Sequence, residues 1–418
     1  MDLKWTPMRW PTDWQDPSAL ALLKPTCVNY LVVEKTPVLD AVVAQAKTNG
    51  IEVGEAAAPP AEVTILQGEW PGVKLSPSGA KDVASAGPTG APWVDSNGWK
   101  IRLTAAIQPD KTIWVYAAPK ESQASRESYR MALADAGVSG GRWIISLDKH
   151  LVAAIGAGNP DALQTWDTIS RAAGFMASHT SWSNYTPQAV VGVLSDFTGP
   201  NELNGTETLN LLARANEQYQ IIPKNKASVS SFQGLRAVLY ADADPPTADL
   251  KKEVIAFVEE GGMLIAGPNW GALPGRPAKY DDHPRYASRL LGKGKVQIAK
   301  ADVDDPYVFA NDAVILVSHR HDLVRFWNGG ALESFLTVSP DRTRTLLQMI
   351  FFARELNGRV SAGGPEAASV RVVGRYRRAK LWTLDQSSPI DVQMDFEKDA
   401  VELHLPPISE YAAVELEV

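Results

Sequence analysis

Thr165-Trp-Asp-Thr-Ile-Ser-Arg-Ala-Ala-Gly-Phe-Met-Ala-Ser-His-Thr-Ser-Trp-Ser-Asn-Tyr-Thr-Pro-Gln-Ala-Val-Val-Gly-Val-Leu-Ser-Asp-Phe-Thr-Gly-Pro-Asn201 joins two α/β halves of the chain. It opens as a helix. Trp166, Ile169, Ala173 and Met176 recur at three- and four-residue spacing and form one apolar face. It closes as a strand, because Val190 to Leu194 is an apolar run too short for a helix. Between them, Pro187 discourages further helix, and the Trp-Ser-Asn-Tyr-Thr-Pro connector reads as a hinge.

Upstream, apolar β-rich runs alternate with helical patterns. Cys27 to Val33, Ile51 to Gly54, Val63 to Leu66, Val73 to Leu75, Thr112 to Tyr116 and Trp143 to Leu147 read as strands. Pro37 to Lys47 and Ser125 to Ala136 read as helices, and Asp95 is placed to cap a third that runs to about Ile107. Ser76 to Pro92 is rich in Gly, Pro, Ser and Ala and reads as a long loop. Repeated β-loop-α units imply a parallel sheet, and a (β/α) barrel is the first expectation. Six or seven strands within residues 1–185 are few for eight units, so the barrel should be reduced or irregular.

Downstream, residues 186–362 read as a flavodoxin-like doubly wound domain. Its strands are Val190 to Leu194, Tyr219 to Ile222, Leu235 to Tyr240, Met263 to Gly267, Val296 to Ile298, Ala313 to Val317 and Leu323 to Trp327. Thr206 to Tyr219 and Ala248 to Glu260 are helices, and Asp341 to Asn357 reads as a long closing helix. After a Ser361–Pro365 linker, alternating strands separated by turn signals make residues 363–418 a small antiparallel β-sandwich.

Composition narrows the function classes. The 418 residues carry a formal charge of −7 and no long Lys/Arg run, so no nucleic-acid partner is expected. No segment reaches the length of apolar sequence that spans a bilayer, so no membrane partner is expected either. Met1 to Trp5 does not read as a signal peptide, and the compartment is left open. The single cysteine, Cys27, gives neither an internal disulfide nor a multi-Cys metal site. His319 and His321 follow a strand without a third ligand at a recognisable spacing, so no metal is expected. No Gly-x-Gly-x-x-Gly follows a strand, and no cofactor is expected. Thirteen tryptophans are the unusual count, and they suit either sugar faces or core packing.

In a barrel, chemistry belongs at the C-terminal ends of the strands. Glu34, Glu55, Glu69, Glu121 and Asp148 follow predicted strands. Asp148, Glu121 and Glu55 are the candidate catalytic acids, with Asp148 first because it directly ends an apolar run. Trp70, Asp95, Asn97, Trp99, Tyr116 and Trp182 are the candidate substrate-binding residues in or near connecting segments. An acid at a strand end is also a natural helix cap, so each carboxylate has a structural reading beside the catalytic one.

Leu-Arg-Ala-Val-Leu-Tyr (235–240), a helix, then Gly-Gly-Met-Leu-Ile-Ala-Gly (261–267) resembles the class I glutamine-amidotransferase-like domains. Their chemistry needs a cysteine nucleophile, and this region has none. The closing Leu-Pro-Pro-Ile-Ser-Glu-Tyr-Ala-Ala-Val-Glu-Leu (405–416) resembles the last strands of β-domains that end many glycoside hydrolases. Barrel, cysteine-free amidotransferase-like domain and small β-domain together resemble the family 42 glycoside hydrolases, the β-galactosidases. That resemblance implies two-carboxylate hydrolysis of an oligo- or polysaccharide and a homo-oligomer, dimer or trimer. In that family the barrel acid is an Asn-Glu pair. Here Asn-Glu occurs only at Asn201-Glu202 and Asn216-Glu217, outside the barrel, so neither carries over. A non-catalytic glycan-binding or assembly protein on a decayed glycosidase scaffold is the alternative.

Overall fold

The computed structural model describes residues 4–73, 94–119, 125–272, 274–279, 283–356 and 359–418. The long loop expected over 76–92 and the candidate acid Glu121 lie outside the described residues.

Among the described residues, six short strands build the ring of the first region. They are β1 (Pro7–Arg9), β2 (Tyr30–Val33), β3 (Glu52–Glu55), β4 (Val63–Gln67), β5 (Thr112–Tyr116) and β6 (Arg142–Trp143). β1, β2 and β3 pair in parallel, as do β4, β5 and β6. A parallel bridge from Met8 to Ile145 joins β1 to the chain just after β6. Arg9 N–H donates to the Ile145 carbonyl at 2.8 Å and Ile145 N–H donates to the Pro7 carbonyl at 3.0 Å. Neighbours in sequence are thus neighbours in space, and the first strand meets the last. Among the described residues no ladder joins β3 to β4, so the ring is open there.

The pleat sorts the ring's side chains. Tyr30, Val32, Val63, Trp114 and Ile144 pack inward with Trp5. Leu31, Val33, Ile113, Val115 and Ile145 pack outward with the residues of the surrounding helices. Those helices are α1 (Asp40–Thr48), α2 (Gly98–Ile107), α3 (Arg126–Val138), α4 (Lys149–Gly156) and α5 (Pro160–Ser178). Asn159 caps α5 by accepting from the N–H groups of Asp161 and Ala162, with Pro160 at the first helical position. Trp166, Ile169, Ala173 and Met176 are all buried on its inner face. The connector that follows is not free. Thr186 and Pro187 pair with Val338 and Thr337, which fastens it to the third region.

The second region alternates β7 (Val191–Ser195), α6 (Glu202–Arg214), β8 (Tyr219–Pro223), β9 (Ala237–Tyr240), α7 (Ala248–Glu259), β10 (Met263–Ala266), β11 (Tyr286–Leu291), β12 (Gly294–Ala299) and α8 (Pro306–Val317). The sheet order is β8-β7-β9-β10-β12-β11, parallel except at β11. Its two faces are separate cores. Val191, Val193, Ala237 and Leu239 pack with α6 and α8, while Leu194, Val238 and Tyr240 pack with α7. The run Ala313 to Val317, expected as a strand, is the end of α8. Asp305 caps that helix through Tyr307 N–H, with Pro306 at the first position, and these start signals outweigh its β-branched composition.

The third region is two antiparallel sheets. β13 (Val324–Trp327), β16 (Ala368–Val373), β19 (Ala400–Leu405) and β18 (Gln393–Phe396) form one in that order. The other runs β17 (Arg378–Thr383), β20 (Tyr411–Glu417), β15 (Arg344–Leu356), β14 (Ala331–Val338). The expected closing helix over 341–357 is therefore a strand, β15. Its Leu346, Ile350 and Phe352 join the core of the first region, and Leu347, Met349 and Phe351 join the core of the sandwich. A strand buried on both faces reads as one apolar run, which periodicity alone does not separate from a buried helix. Strands on both sides of residue 362 thus share the sandwich sheets.

Candidate functional site

The C-terminal ends of β1, β2 and β5 bring three polar side chains together. Arg9 ends β1, Glu34 follows β2 and Tyr116 ends β5. The Arg9 guanidinium donates to Glu34 Oε1 and to Tyr116 Oη. It also lies 5.2 Å from the Tyr116 ring centroid. Arg9 is 32% and Glu34 49% exposed, so the cluster is open to solvent. Its floor is aromatic. Trp5, Tyr30 and Trp114 meet edge to face with centroids 4.9–5.8 Å apart. Gly54 makes room for that floor, since a Cβ there would sit 2.0 Å from Tyr30 Oη.

The pleat separates Glu34 from Glu55. Glu55 is in register with Val33, whose side chain packs on the outer core. Glu34 is one residue on and takes the opposite face, beside Arg9. Glu55 instead pairs with Lys35 at 3.1 Å. Asp148 is the N-cap of α4. Its Oδ1 accepts from His150 N–H at 2.9 Å and Leu151 N–H at 3.0 Å. Its Oδ2 accepts from the Tyr129 hydroxyl at 3.2 Å, and Tyr129 Oη accepts from Asp148 N–H at 2.9 Å. Both carboxylate oxygens are engaged, and the residue is buried.

The candidate binding residues divide among five places. Tyr116 is in the mouth cluster. Trp70 is buried, donates to the Ala118 carbonyl at 2.9 Å and stacks edge to face on Tyr129 and Trp143. Trp182 packs where the connector meets the sandwich, with centroids 4.2 Å from His179 and 6.3 Å from Trp382. Trp99 is half-buried against the α6–α8 core. Asp95 and Asn97 sit at a seam between the three regions. The N-cap position of α2 falls on Asn97, not on Asp95 as expected, and Asn97 makes no side-chain cap bond. Asn97 is committed elsewhere. Its backbone N–H and Nδ2 donate to Asp135 Oδ2 at 2.9 and 2.7 Å. Its Oδ1 accepts from Glu69 N–H at 2.9 Å.

This seam holds three buried acids, Asp135, Glu217 and Glu333. Asp135 on α3 is buried, and desolvation pushes it up to about 6. Glu333 on β14 accepts from the Ser96 hydroxyl at 2.8 Å. Burial, then the charge of Asp135, pushes Glu333 up to about 7. Burial pushes nearby Glu217 up to about 8, with Asp322 adding to it. Arg102 and Arg214 supply the opposing charge at Glu333. Earlier on α3, Arg130 donates to both oxygens of Asp385 at 2.6 and 2.7 Å and to Glu410 Oε2 at 3.2 Å. That fork locks the first region to the sandwich.

Sequence reading missed Arg9. Its strand is three residues long, opens on Pro7 and is followed by Pro11, so the period-two signal has no length to register. The seam acids were equally invisible, because Asp135 and Glu333 are far apart in sequence.

No family model and no curated protein matches this chain. Solved structures do match. The α-L-fucosidase isoenzyme 2 from Paenibacillus thiaminolyticus aligns over 90% of this chain and 70% of its own, with a TM-score of 0.53 and 11% identity. The chain shares the fold of that enzyme. A β-galactosidase from Rahnella sp. R3 covers 97% of this chain and 68% of its own, with a TM-score of 0.48 and 8% identity. A β-galactosidase from Bacillus circulans sp. alkalophilus covers 91% and 66%, with a TM-score of 0.45 and 10% identity. The chain spans about two thirds of the length of each.

Proposed function

We propose that this chain is a glycoside hydrolase that cleaves an oligo- or polysaccharide by two-carboxylate chemistry at the mouth of a reduced (β/α) barrel. The barrel is residues 1–185, a flavodoxin-like domain follows from 186, and the sandwich begins near Val324. The observation that carries the reading is Glu34, a solvent-accessible carboxylate aimed by Arg9 and beside the Tyr116 hydroxyl. Held in that way, Glu34 serves as nucleophile or as the base for water. The choice depends on its separation from the acid, about 5–5.5 Å for retention and about 6.5–9.5 Å for inversion. Glu121, which follows β5, is the candidate acid, and Tyr116 contacts the sugar. Asp148 and Glu55 rank below Glu34, given their cap and Lys35 contacts. Trp70 and Asn97 support the scaffold in this reading.

The test is product release from a panel of plant and microbial oligosaccharides, read by mass spectrometry. Wild type should release product, and Glu34→Gln and Glu121→Gln should each lower kcat/KM by roughly 10²–10⁴-fold. Full activity in Glu34→Gln would end the assignment.

A second reading has its own support. It is glycan binding without turnover at the same cluster, through the half-exposed Arg9 and Glu34 side chains. Wild type that binds the panel but releases nothing would select it. We also propose a homo-oligomer formed through the second region, where Leu203 on α6 and Tyr307 and Ile315 on α8 are exposed on two helices that pack together. Light scattering reads the mass directly, and a monomer at all concentrations removes this part.

A further inference from the structure

We infer that the second region carries a binding site for a tetrahedral oxyanion, a sulfate or phosphate group, between the start of β9 and the turn that follows α8. The inference does not rest on the mouth of the ring being catalytic. Arg236 directly precedes β9. Its backbone is pinned at the N-terminal end of the sheet. Its N–H donates to the Val190 carbonyl at 2.7 Å, and its carbonyl accepts from Met263 N–H at 2.9 Å. His319–His321 is a 3-10 turn just after α8. Ser318 joins the two with φ +77° and ψ 127°, a conformation that a residue with a Cβ rarely adopts. Backbone held in this way clusters at ligand clamps. Arg325 Nη2 donates to the His319 carbonyl at 2.7 Å and fastens the turn.

The strand and the turn bring two guanidiniums to one point. Arg320 Nε donates to His321 Nε2 at 3.1 Å, and Arg236 Nη2 lies 3.4 Å from the same nitrogen. Both arginines are exposed and His321 is half-buried, so a solute can reach all three. Among the described residues no carboxylate pairs with either guanidinium. Two like charges without a counter-ion repel, and one neutral lone pair serves two charged donors poorly. Burial, then the charges of Arg236 and Arg320, lowers His321 and keeps its ring neutral. An oxyanion beside that ring accepts from both arginines and offsets both charges. The carboxylate that acts on His321 is Asp322, and it is engaged elsewhere. It lies 3.0 Å from His319 Nδ1 and 3.7 Å from Arg325 Nη2. Glu217, which feels the charge of Asp322, is buried, and burial favours its neutral form. Three guanidiniums therefore stand against one ionised carboxylate, in a chain whose net charge is −7. The shape of the donors narrows the anion. Each guanidinium carries a fork of five N–H donors, and two forks from separate elements serve more than the two oxygens of a carboxylate. A sulfate or phosphate group presents at least three acceptor oxygens.

The experiment is calorimetric titration of the full chain in about 0.15 M NaCl, which screens unspecific charge attraction. The probes are sodium sulfate, sodium phosphate, galactose-6-sulfate, glucose-6-phosphate and galacturonate. At least one sulfate or phosphate probe should bind saturably, and galacturonate should bind at least about 10-fold more weakly. Arg236→Gln and Arg320→Gln should each weaken binding about 5–20-fold, and the double variant should abolish it. Both side chains are exposed, so each variant without ligand should unfold within about 2 °C of wild type. Two controls should bind like wild type. Arg375→Gln removes an exposed arginine paired with Asp399, and Glu34→Gln removes the carboxylate at the mouth. An ester that binds at least about 10-fold tighter than the free ion would support the site and assign the group to a sugar. Equal binding would support the site and assign the free ion. The proposal fails if no sulfate or phosphate probe binds saturably, if galacturonate binds as well as they do, or if the double variant binds like wild type. Binding lost in Glu34→Gln and kept in the double variant would move the anion to the mouth and overturn this site.

Discussion

The mouth of the ring and the seam between the regions both gather carboxylates, arginines and a tyrosine, and they treat charge in opposite ways. At the mouth, Glu34 is half exposed and Arg9 reaches it across two adjacent strands. At the seam, Asp135 and Glu333 are buried on elements from two regions, and burial favours their neutral forms. Perturbed acids are often taken as the mark of an active site. Here the carboxylates raised by burial lie where layers meet, and the more exposed of the two clusters lies at the strand ends. The difference teaches that access and aim, rather than the size of a shift, select the candidate nucleophile.

The sharpest way to break this contrast is to neutralise one acid on each side. Glu34→Gln should cost roughly 10²–10⁴-fold in kcat/KM and leave Tm unchanged. Glu333→Gln should keep activity within about threefold of wild type and alter Tm, since it acts on packing. Reversed outcomes would exchange the roles of the two sites.

Next in size is the fork at the sandwich. Arg130→Ala leaves the buried Glu410 without its guanidinium. It should destabilise the fold by about 3–5 kcal/mol in denaturant titration. A loss below about 1 kcal/mol would mean that the first region and the sandwich are held by apolar contacts alone.

The seam also predicts a pH dependence. Glu333 and Glu217 are pushed up to about 7 and about 8. Between their ordinary values and these, the folded chain binds more protons than the unfolded chain. The free energy of unfolding therefore falls as pH rises through that window. Their stabilisation is fully present at low pH and lost above the raised values. Tm should drop between pH 6.5 and 8.5, above the range of the lowered histidines His179 and His321. Each such proton accounts for at most about 1.4 kcal/mol per pH unit. Glu333→Gln should flatten the curve, and a Tm that rises with pH would contradict the seam's electrostatics.

The smallest expected effect concerns Asp148. Asp148→Ala should cost about 1 kcal/mol as a lost N-cap. If hydrolysis vanished without a change in Tm, Asp148 would return as a catalytic acid.

Much of the architecture was legible in local patterns. The apolar face of α5, the Pro187 break and the strand from Val191 follow from spacing and proline chemistry that act within a few residues. The alternation of strands and helices in the second region is of the same kind. β15 was not legible. Its residues are apolar on both faces because two cores claim it, and a local window contains no trace of either core.

Residue types at the strand ends were set by the chain itself: Glu34, Glu55, Asp148 and Tyr116 stand where chemistry could use them. Which of them meet was decided only by the tertiary structure. One step along a pleat sends Glu34 to Arg9 and Glu55 to Lys35. A backbone turn claims both oxygens of Asp148. Arg9 enters the mouth because the first strand pairs beside the last, a contact across more than a hundred residues. Local sequence carries propensity and periodicity. Register, ring closure and burial arise from pairing between distant segments, and these place the charges.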